Sequence, residues 1–339
     1  MPLLTDPKYS DRWKLSVAPM MDWTDRHCRY FHRLLTKNTL VYTEMVTTGA
    51  LLHGDVPRHL DFNAEEHPVA LQLGGSESAD LARAAKLGQE WGYDEINLNC
   101  GCPSERVQRG AFGACLMAQP QLVADCVKAM QDAVSIPVTV KHRIGIDKTE
   151  SYEFVRDFVG TIADAGCEVF IVHARNAWLQ GLSPKQNREV PPLRYELVHR
   201  LKKEFPHLVI ALNGGINTPE QVAHELPHLD GVMVGREAYH NPWWLSAWDA
   251  QFYGDTVSRE GITRDSVEAQ MVQYMQREAA TKGTPWYSIA RHMLGLRHGQ
   301  PGARLWRQVW SDHRLKTLPA EEVAAKASAT VRRAAHIEP

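Results

Sequence analysis

Short apolar runs recur along the first two-thirds of the chain, each followed by a longer stretch with helical spacing. Runs at 15–20, 40–46, 69–75, 94–98, 138–141, 169–173, 208–215 and 231–236 read as strands. They are short and rich in Val, Ile and Leu, and several end at or next to Gly, Pro or Asn. Between them, 25–35, 78–91, 122–130, 151–165, 193–204 and 219–226 carry the three-to-four spacing of amphipathic helices. Eight such strands alternating with helices fit a (β/α)8 TIM barrel, an α/β fold of ~250 residues. A doubly wound open sheet is the alternative. The count of strands and the lack of a G-x-G-x-x-G after the first one favour the barrel.

The pattern changes after Asn241-Pro242-Trp243-Trp244. Strand signals stop, and 267–278, 288–296, 305–309 and 320–335 read as helices. The chain is therefore expected to hold a barrel domain over 1–250 and a smaller C-terminal helical domain over 255–339.

Composition changes this picture little. The 339 residues are 44% hydrophobic and 23% charged, as in ordinary globular proteins. No apolar run is long enough to span a membrane, and the N-terminus has no apolar core of an export signal. Six scattered cysteines without a framework spacing read as reduced thiols of a cytoplasmic protein. Cys100 and Cys102 form a C-x-C with no second pair, so no metal site is expected. A net charge of -2 does not advertise nucleic-acid binding, but local patches matter more than the total.

The candidate chemistry lies where a barrel keeps its active site, at the C-terminal ends of the strands. Reading those ends gives Gln72, Asn97, Asn99, Cys102, Lys141, His173, Asn213 and the pair Gly235-Arg236. Polar groups inside a barrel mouth cost free energy unless they are paired or used. Asn213-Gly214-Gly215 and Gly235-Arg236 follow the seventh and eighth strands, the loops that commonly hold a phosphate in this fold. That phosphate could belong to a sugar phosphate or to flavin mononucleotide (FMN). Gln72 suits the edge of a flavin ring, and Lys141 suits the negative charge of a reduced one. Lys141 equally suits Schiff-base chemistry in an aldolase.

A basic and aromatic stretch runs from Arg291 to Lys316. It holds Arg291, Arg297, Arg304, Arg307, Arg314 and Lys316 against one acid, Asp312, with Trp306 and Trp310 among them. Arg304 and Arg307 share a helical face. Lys185 and Arg188 form a second basic pair in the long loop after the sixth strand. Two such patches favour a polyanion, with RNA as the first choice.

Seven segments together resemble the tRNA-dihydrouridine synthase family. They are Val17-Ala18-Pro19-Met20-Met21-Asp22, Leu71-Gln72-Leu73-Gly74-Gly75, Asn97-Leu98-Asn99-Cys100-Gly101-Cys102-Pro103-Ser104, Gly113-Ala114-Cys115-Leu116, Val140-Lys141-His142-Arg143, Val172-His173-Ala174-Arg175 and Asn213-Gly214-Gly215. Ser183 to Glu189 and Pro301 to Arg307 resemble the branch of that family named for uridines 20 and 20a. The resemblance implies an FMN barrel and a helical tRNA-binding domain. It implies that NADPH reduces the flavin, which in turn reduces the C5–C6 double bond of D-loop uridines. By matching segments, Pro19, Met20, Met21, Gln72, Lys141, His173, Asn213, Gly214, Gly215, Gly235 and Arg236 would contact FMN. Cys102 would be the proton donor. Asn99, Lys185, Arg188, Arg304 and Arg307 would contact tRNA. A monomer is expected.

The chemistry agrees with that assignment. Hydride arriving at uracil C6 builds negative charge toward C5 and O4, and an acid must then protonate C5. A thiol, with an ordinary pKa near ~8.5, is protonated at neutral pH and acidic enough to donate. The uridine has to leave its stack to be reached. Cys115 and Cys100 compete with Cys102 for the role, and His142 stands where relatives often carry a smaller residue. Three rival readings remain at this point: an FMN barrel acting on a small pyrimidine or enone, a Schiff-base aldolase built on Lys141, and a tRNA-binding protein without catalysis.

Overall fold

The computed structural model describes residues 6, 9, 11–257 and 260–335. The expected domain spans also include residues 1–5, 7, 8, 10, 258, 259 and 336–339, which lie outside the described residues. Eight parallel strands close into a barrel in chain order. They are β1 Leu15–Val17, β2 Leu40–Thr47, β3 Val69–Gly74, β4 Glu95–Cys100, β5 Val138–Arg143, β6 Val169–His173, β7 Val209–Asn213 and β8 Gly231–Val234. β1 pairs with β8 through Val17 and Val234, which closes the ring. The (β/α)8 expectation is met.

Strands buried on both faces need apolar side chains outward, against the helices, as well as inward. Ile96, Leu98 and Cys100 of β4 take the outer face and are fully buried. The inner face is packed by Leu40, Tyr42, Ala70, Val169, Ile171, Ala211 and Met233, with Tyr9 and Trp13 in the same cluster. Toward the C-terminal ends this apolar filling gives way to Gln72, Asn97, Asn99 and Asn213, all buried.

Several boundaries differ from the sequence reading. β1 stops at Val17, since the Ala18 N–H closes onto the Val234 carbonyl and Pro19 has no N–H to continue the ladder. The helix expected over 288–296 is confined to Trp286–Ala290, followed by turns. A side chain at Gly295 would come within 2.5 Å of the His240 carbonyl, so a close backbone approach fixes the path there. Short helices at Thr48–His53, Val56–Leu60, Glu105–Arg109, Arg236–His240 and Trp248–Tyr253 were not foreseen, being too brief to show a period.

The chain divides into two compact units. One holds the barrel strands, running up to Arg26 and again over Asn38–Gly235. The other holds His27–Lys37 together with everything from Arg236 on. Within that second unit Tyr30 stacks on Tyr274 at 3.9 Å, and the Tyr274 hydroxyl meets His27 Nδ1 at 2.7 Å. Thr36 donates to Asp249 at 2.7 Å. Glu268 is buried and accepts from Trp306 at 2.8 Å, Trp310 at 3.0 Å and Arg297 at 2.8 Å. Arg297, Trp306 and Trp310 are therefore core, not part of the basic surface that the sequence suggested.

Candidate active site

Alternation along β4 sends Glu95, Asn97 and Asn99 inward, and neighbouring strands meet them with polar groups. The Gln72 amide donates to Asn97 Oδ1 at 2.8 Å, and Asn97 donates to Thr139 Oγ1 at 2.8 Å. Asn99 donates to Gln72 Oε1 at 2.8 Å. A buried amide whose groups are paired is held in one rotamer and one flip, which a binding surface needs. Each of these amides keeps some hydrogen-bonding capacity for a ligand.

Beyond β4 the chain turns at Gly101-Cys102-Pro103. The Asn99 side-chain oxygen accepts the N–H groups of Gly101 and Cys102, both at 3.0 Å. The Cys102 carbonyl accepts the Ala114 N–H at 2.9 Å. The Gly101 carbonyl accepts Nε of Arg143 at 3.1 Å. The loop is thus pinned from three sides, with the Cys102 thiol half-buried and 3.6 Å from Ser104 Oγ. Ser104 also caps the helix Glu105–Arg109. Gly113 adopts a positive φ of 77°, and a side chain there would lie 2.6 Å from the Cys102 carbonyl.

The other two candidate thiols are placed differently. Cys100 is fully buried on the outer face of β4, where burial pushes its pKa well above the usual thiol value. Cys115 donates to the Phe112 carbonyl at 3.1 Å, and burial raises its pKa as well.

The opposite side of the mouth is cationic. Lys141 Nζ donates to Asn213 Oδ1 at 2.9 Å, and Asn213 in turn donates to the Met233 carbonyl at 2.9 Å. Burial, then the charge of Arg143, lowers the Lys141 pKa to about 7. His173 stays neutral: burial, with Arg143, Lys141, Arg175 and Arg188 around it, holds its pKa well below 6.5. Burial lowers the Arg143 pKa to about 10, so its guanidinium remains charged at neutral pH. Such a group of cations around a neutral imidazole favours an anionic ligand.

The glycines after β7 fit a cradle for a phosphate. Gly214 has φ 111° and Gly215 φ 75°. A side chain on Gly214 would come within 2.6 Å of the His173 ring, and one on Gly215 within 2.3 Å of Leu193. A side chain on Gly235 would meet only Ala18, at 3.9 Å, so space is open beside that backbone. These residues fit the phosphate of a flavin mononucleotide, and the amide of Gln72 fits its ring edge. After β1, Met20 accepts the N–H groups of Trp23 and Thr24, and Asp22 takes a φ of 65°. That turn leaves Pro19 and Met20 half-buried and Met21 exposed. Arg236 is exposed and begins the helix Arg236–His240.

The two basic pairs are both at the surface. Lys185 and Arg188 are exposed on either side of Asn187, in and next to a short turn of 3-10 helix, Gln186–Arg188. In the second unit Arg304 and Arg307 are exposed on the helix Ala303–Trp310, whose buried face carries Ala303, Trp306 and Trp310.

Sequence reading missed what holds the Lys185–Arg188 loop. Arg143 Nη1 donates to the carbonyls of Asn187 at 2.8 Å and Asn176 at 3.2 Å, while its Nε holds Gly101. Asn187, fully buried, donates to the Trp178 carbonyl at 2.9 Å and accepts the Trp178 N–H at 2.7 Å. One guanidinium therefore ties the Cys102 loop to the loop carrying the basic pair. The only signal was Arg143 at the end of a strand, and its partners are backbone carbonyls that no motif displays.

Among the described residues no cluster of His, Cys, Asp and Glu could hold a metal ion. None of the described helices is long and apolar enough to cross a membrane.

Comparison with known proteins gives a consistent result. The family model for dihydrouridine synthase matches residues 16–332. The tRNA-dihydrouridine(20/20a) synthase of Escherichia coli strain K12 is 59% identical over 314 residues, covering 92% of this chain and 89% of that protein. The protein of the same name from Vibrio parahaemolyticus is 56% identical over 319 residues, 94% of this chain and 97% of its own. That from Vibrio cholerae is 57% identical over 320 residues, 94% and 96% respectively.

Proposed function

The chain belongs to the dihydrouridine synthase family of enzymes, and from that footing we propose that it reduces uridines 20 and 20a of the tRNA D-loop to dihydrouridine. FMN is the resident flavin and NADPH the reductant. The observation that carries this reading is the Cys102 thiol, half-buried in a pinned loop at the rim of a cationic mouth. Relatives bearing the uridine 20/20a name over nearly the whole chain support the substrate. A tRNA substrate puts the enzyme in the cytoplasm.

In this reading Gly214, Gly215, Gly235 and Arg236 hold the FMN phosphate, and Pro19, Met20, Met21, Gln72, Lys141, His173 and Asn213 hold the rest of the cofactor. When bound, FMN supplies the hydride that uracil C6 receives. Cys102 holds a proton on Sγ and delivers it to C5, so that one hydride and one proton complete the saturated bond. Asn99 contributes through position: its Oδ1 is occupied by two backbone N–H groups. Only its second amide hydrogen remains for a uracil carbonyl. Lys141, in its protonated form, would offset the negative charge of a reduced flavin. Lys185, Arg188, Arg304 and Arg307 grip phosphates of the tRNA. Family membership sets aside the Schiff-base alternative for Lys141.

The test is to incubate the protein with NADPH and unmodified tRNA and to map dihydrouridine by mass spectrometry. Product at positions 20 and 20a is expected. Product elsewhere in the D-loop would overturn the choice of uridines, and no product from flavin-loaded protein would return the question to a small pyrimidine or enone.

A further inference from the structure

Glu95 begins β4, at the end of the barrel opposite the mouth, and is 1% exposed. A buried carboxylate is costly unless its lone pairs are filled. Here they are. Oε2 accepts the Trp13 indole N–H at 2.7 Å, and Oε1 accepts the hydroxyls of Tyr42 at 2.8 Å and Thr139 at 2.6 Å. Burial raises the Glu95 pKa from the usual carboxylate value, and these three donors pull it back. Three donors on two oxygens suit the ionised form, which only accepts.

From Thr139 the hydrogen bonds continue without a break. Thr139 Oγ1 receives Asn97 Nδ2, Asn97 Oδ1 receives Gln72 Nε2, and Gln72 Oε1 receives Asn99 Nδ2. Asn99 Oδ1 then receives the N–H groups of Gly101 and Cys102. Every link points the same way, toward Glu95. Both ends have fixed polarity, since a carboxylate only accepts and a backbone N–H only donates. The three amides between them can satisfy both ends in one set of orientations.

We propose that Glu95 is a positioning residue for the Cys102 loop, acting through the one-way chain Thr139, Asn97, Gln72 and Asn99. This deepens the functional reading above and rests on it for the meaning of the loop. The relay itself stands on geometry alone. The carboxylate supplies the acceptor end that leaves Asn99 Oδ1 turned to the loop and one N–H of Gln72 free to donate into the mouth.

The substitution Glu95→Gln reverses that end. The Trp13 indole N–H needs an oxygen, so the new amide nitrogen faces Tyr42 and Thr139. Thr139 then accepts from that nitrogen as well as from Asn97 Nδ2, and its own hydrogen loses the acceptor it had. The relay thus loses the charged acceptor at its far end, and the bonds made by Asn97, Gln72 and Asn99 are polarised and held less strongly.

Hydrogen exchange read by mass spectrometry on a fragment spanning 98–104 of the full-length protein tests this, with or without any uridine turnover. We expect Glu95→Gln to speed exchange of those amides at least about five-fold, the change that loss of one ordinary hydrogen bond brings. In a Thr139→Val background the link is absent, so adding Glu95→Gln should change that exchange no further. Tyr42→Phe removes a Glu95 partner that lies off the path and should leave the fragment as in wild type. Where uridine reduction is measurable, Glu95→Gln should lower kcat while KM for tRNA stays put. Exchange at 98–104 unchanged by Glu95→Gln, or equally quickened by Tyr42→Phe, overturns the relay. If Glu95→Gln does not fold, Thr139→Val against Tyr42→Phe decides the same question. A wild-type protein that exchanges as expected but reduces no uridine would sink the functional reading and leave the relay standing.

Discussion

The side-chain oxygen of Asn99 lies 3.0 Å from both the Gly101 and the Cys102 backbone nitrogens, so one amide sets the height of the thiol above the strand end. Asn99→Ala leaves those N–H groups without their acceptor. Uridine reduction should fall by about 10- to 100-fold in kcat, the equivalent of one or two hydrogen bonds. Single-turnover kinetics with flavin-loaded enzyme would check it, and an unchanged rate would mean that Asn99 does not hold the loop for catalysis.

Replacing the thiol separates chemistry from binding. Cys102→Ala should retain FMN and its reduction by NADPH, yet lose about 10²- to 10⁴-fold in uridine reduction, the usual share of a general acid. Cys115→Ala, whose thiol is turned to the Phe112 carbonyl, should stay within a few-fold of wild type. Reversed effects would move the proton to Cys115.

The cradle after β7 admits no side chain. Gly214→Ala places a methyl 2.6 Å from the His173 ring on a backbone at φ 111°. The expected result is a protein destabilised by about 1–3 kcal/mol and largely free of flavin. The ratio of visible to ultraviolet absorbance after purification reads the second effect directly. Full flavin content would remove this loop from the phosphate site.

Two buried histidines make the fold sensitive to acid. Burial, with a smaller push from Lys141, lowers the His142 pKa from 6.5 to about 4. In the second unit, burial and then the charge on His292 lower that of His32 to about 3. The unfolded chain takes up these protons as pH drops below 6.5, while the folded chain refuses them. Stability should therefore fall between pH 6.5 and about 4, with a His142 share of about 3 kcal/mol. The His142→Leu protein also loses a buried ring nitrogen that has no partner. Its urea midpoint should change less on going from pH ~7 to pH ~4.5 than that of wild type.

The helix Ala303–Trp310 allows the proposed tRNA contact to be tested, because Arg304 and Arg307 are exposed on it while Ala303, Trp306 and Trp310 are buried. Reversing the charge of exposed Arg304 and Arg307 should weaken tRNA binding and flatten its salt dependence, by about one unit of slope for each phosphate no longer neutralised. Oxidation of NADPH by the flavin should be untouched. Arg297→Ala should act otherwise, lowering stability by about 3 kcal/mol through the buried Glu268 that it abandons. Filter binding across a salt series would reveal whether the two substitutions truly differ.

The sequence displayed the barrel because its strands are apolar on both faces, and it displayed the mouth because Gln72, Asn97, Asn99, Lys141, His173 and Asn213 are polar where a core would be apolar. It did not display which basic residues reach solvent. Arg297 and Arg304 look alike in the chain, but only the fold supplies Glu268 beneath the first. Nor did it display the role of Arg143, whose partners are the carbonyls of Gly101, Asn176 and Asn187. Periodicity reports which face of an element is buried; it is silent about ties from a side chain to the backbone of a distant loop.

The stretch His27–Lys37, which lies between the first two strands, groups with the residues after Gly235 and not with the barrel. The chain therefore passes from one unit to the other three times, and no single cut separates them. A fragment beginning at Arg236 would lack Tyr30 for Tyr274 to stack on and Thr36 for Asp249 to accept from. The helical part is thus not a cassette that can be moved to another scaffold by swapping a tail. Any chimera that exchanges the helical part between relatives has to carry this early segment with it, and a library shuffled at a single late crossover would select for accidental compatibility at Tyr30 before any other property.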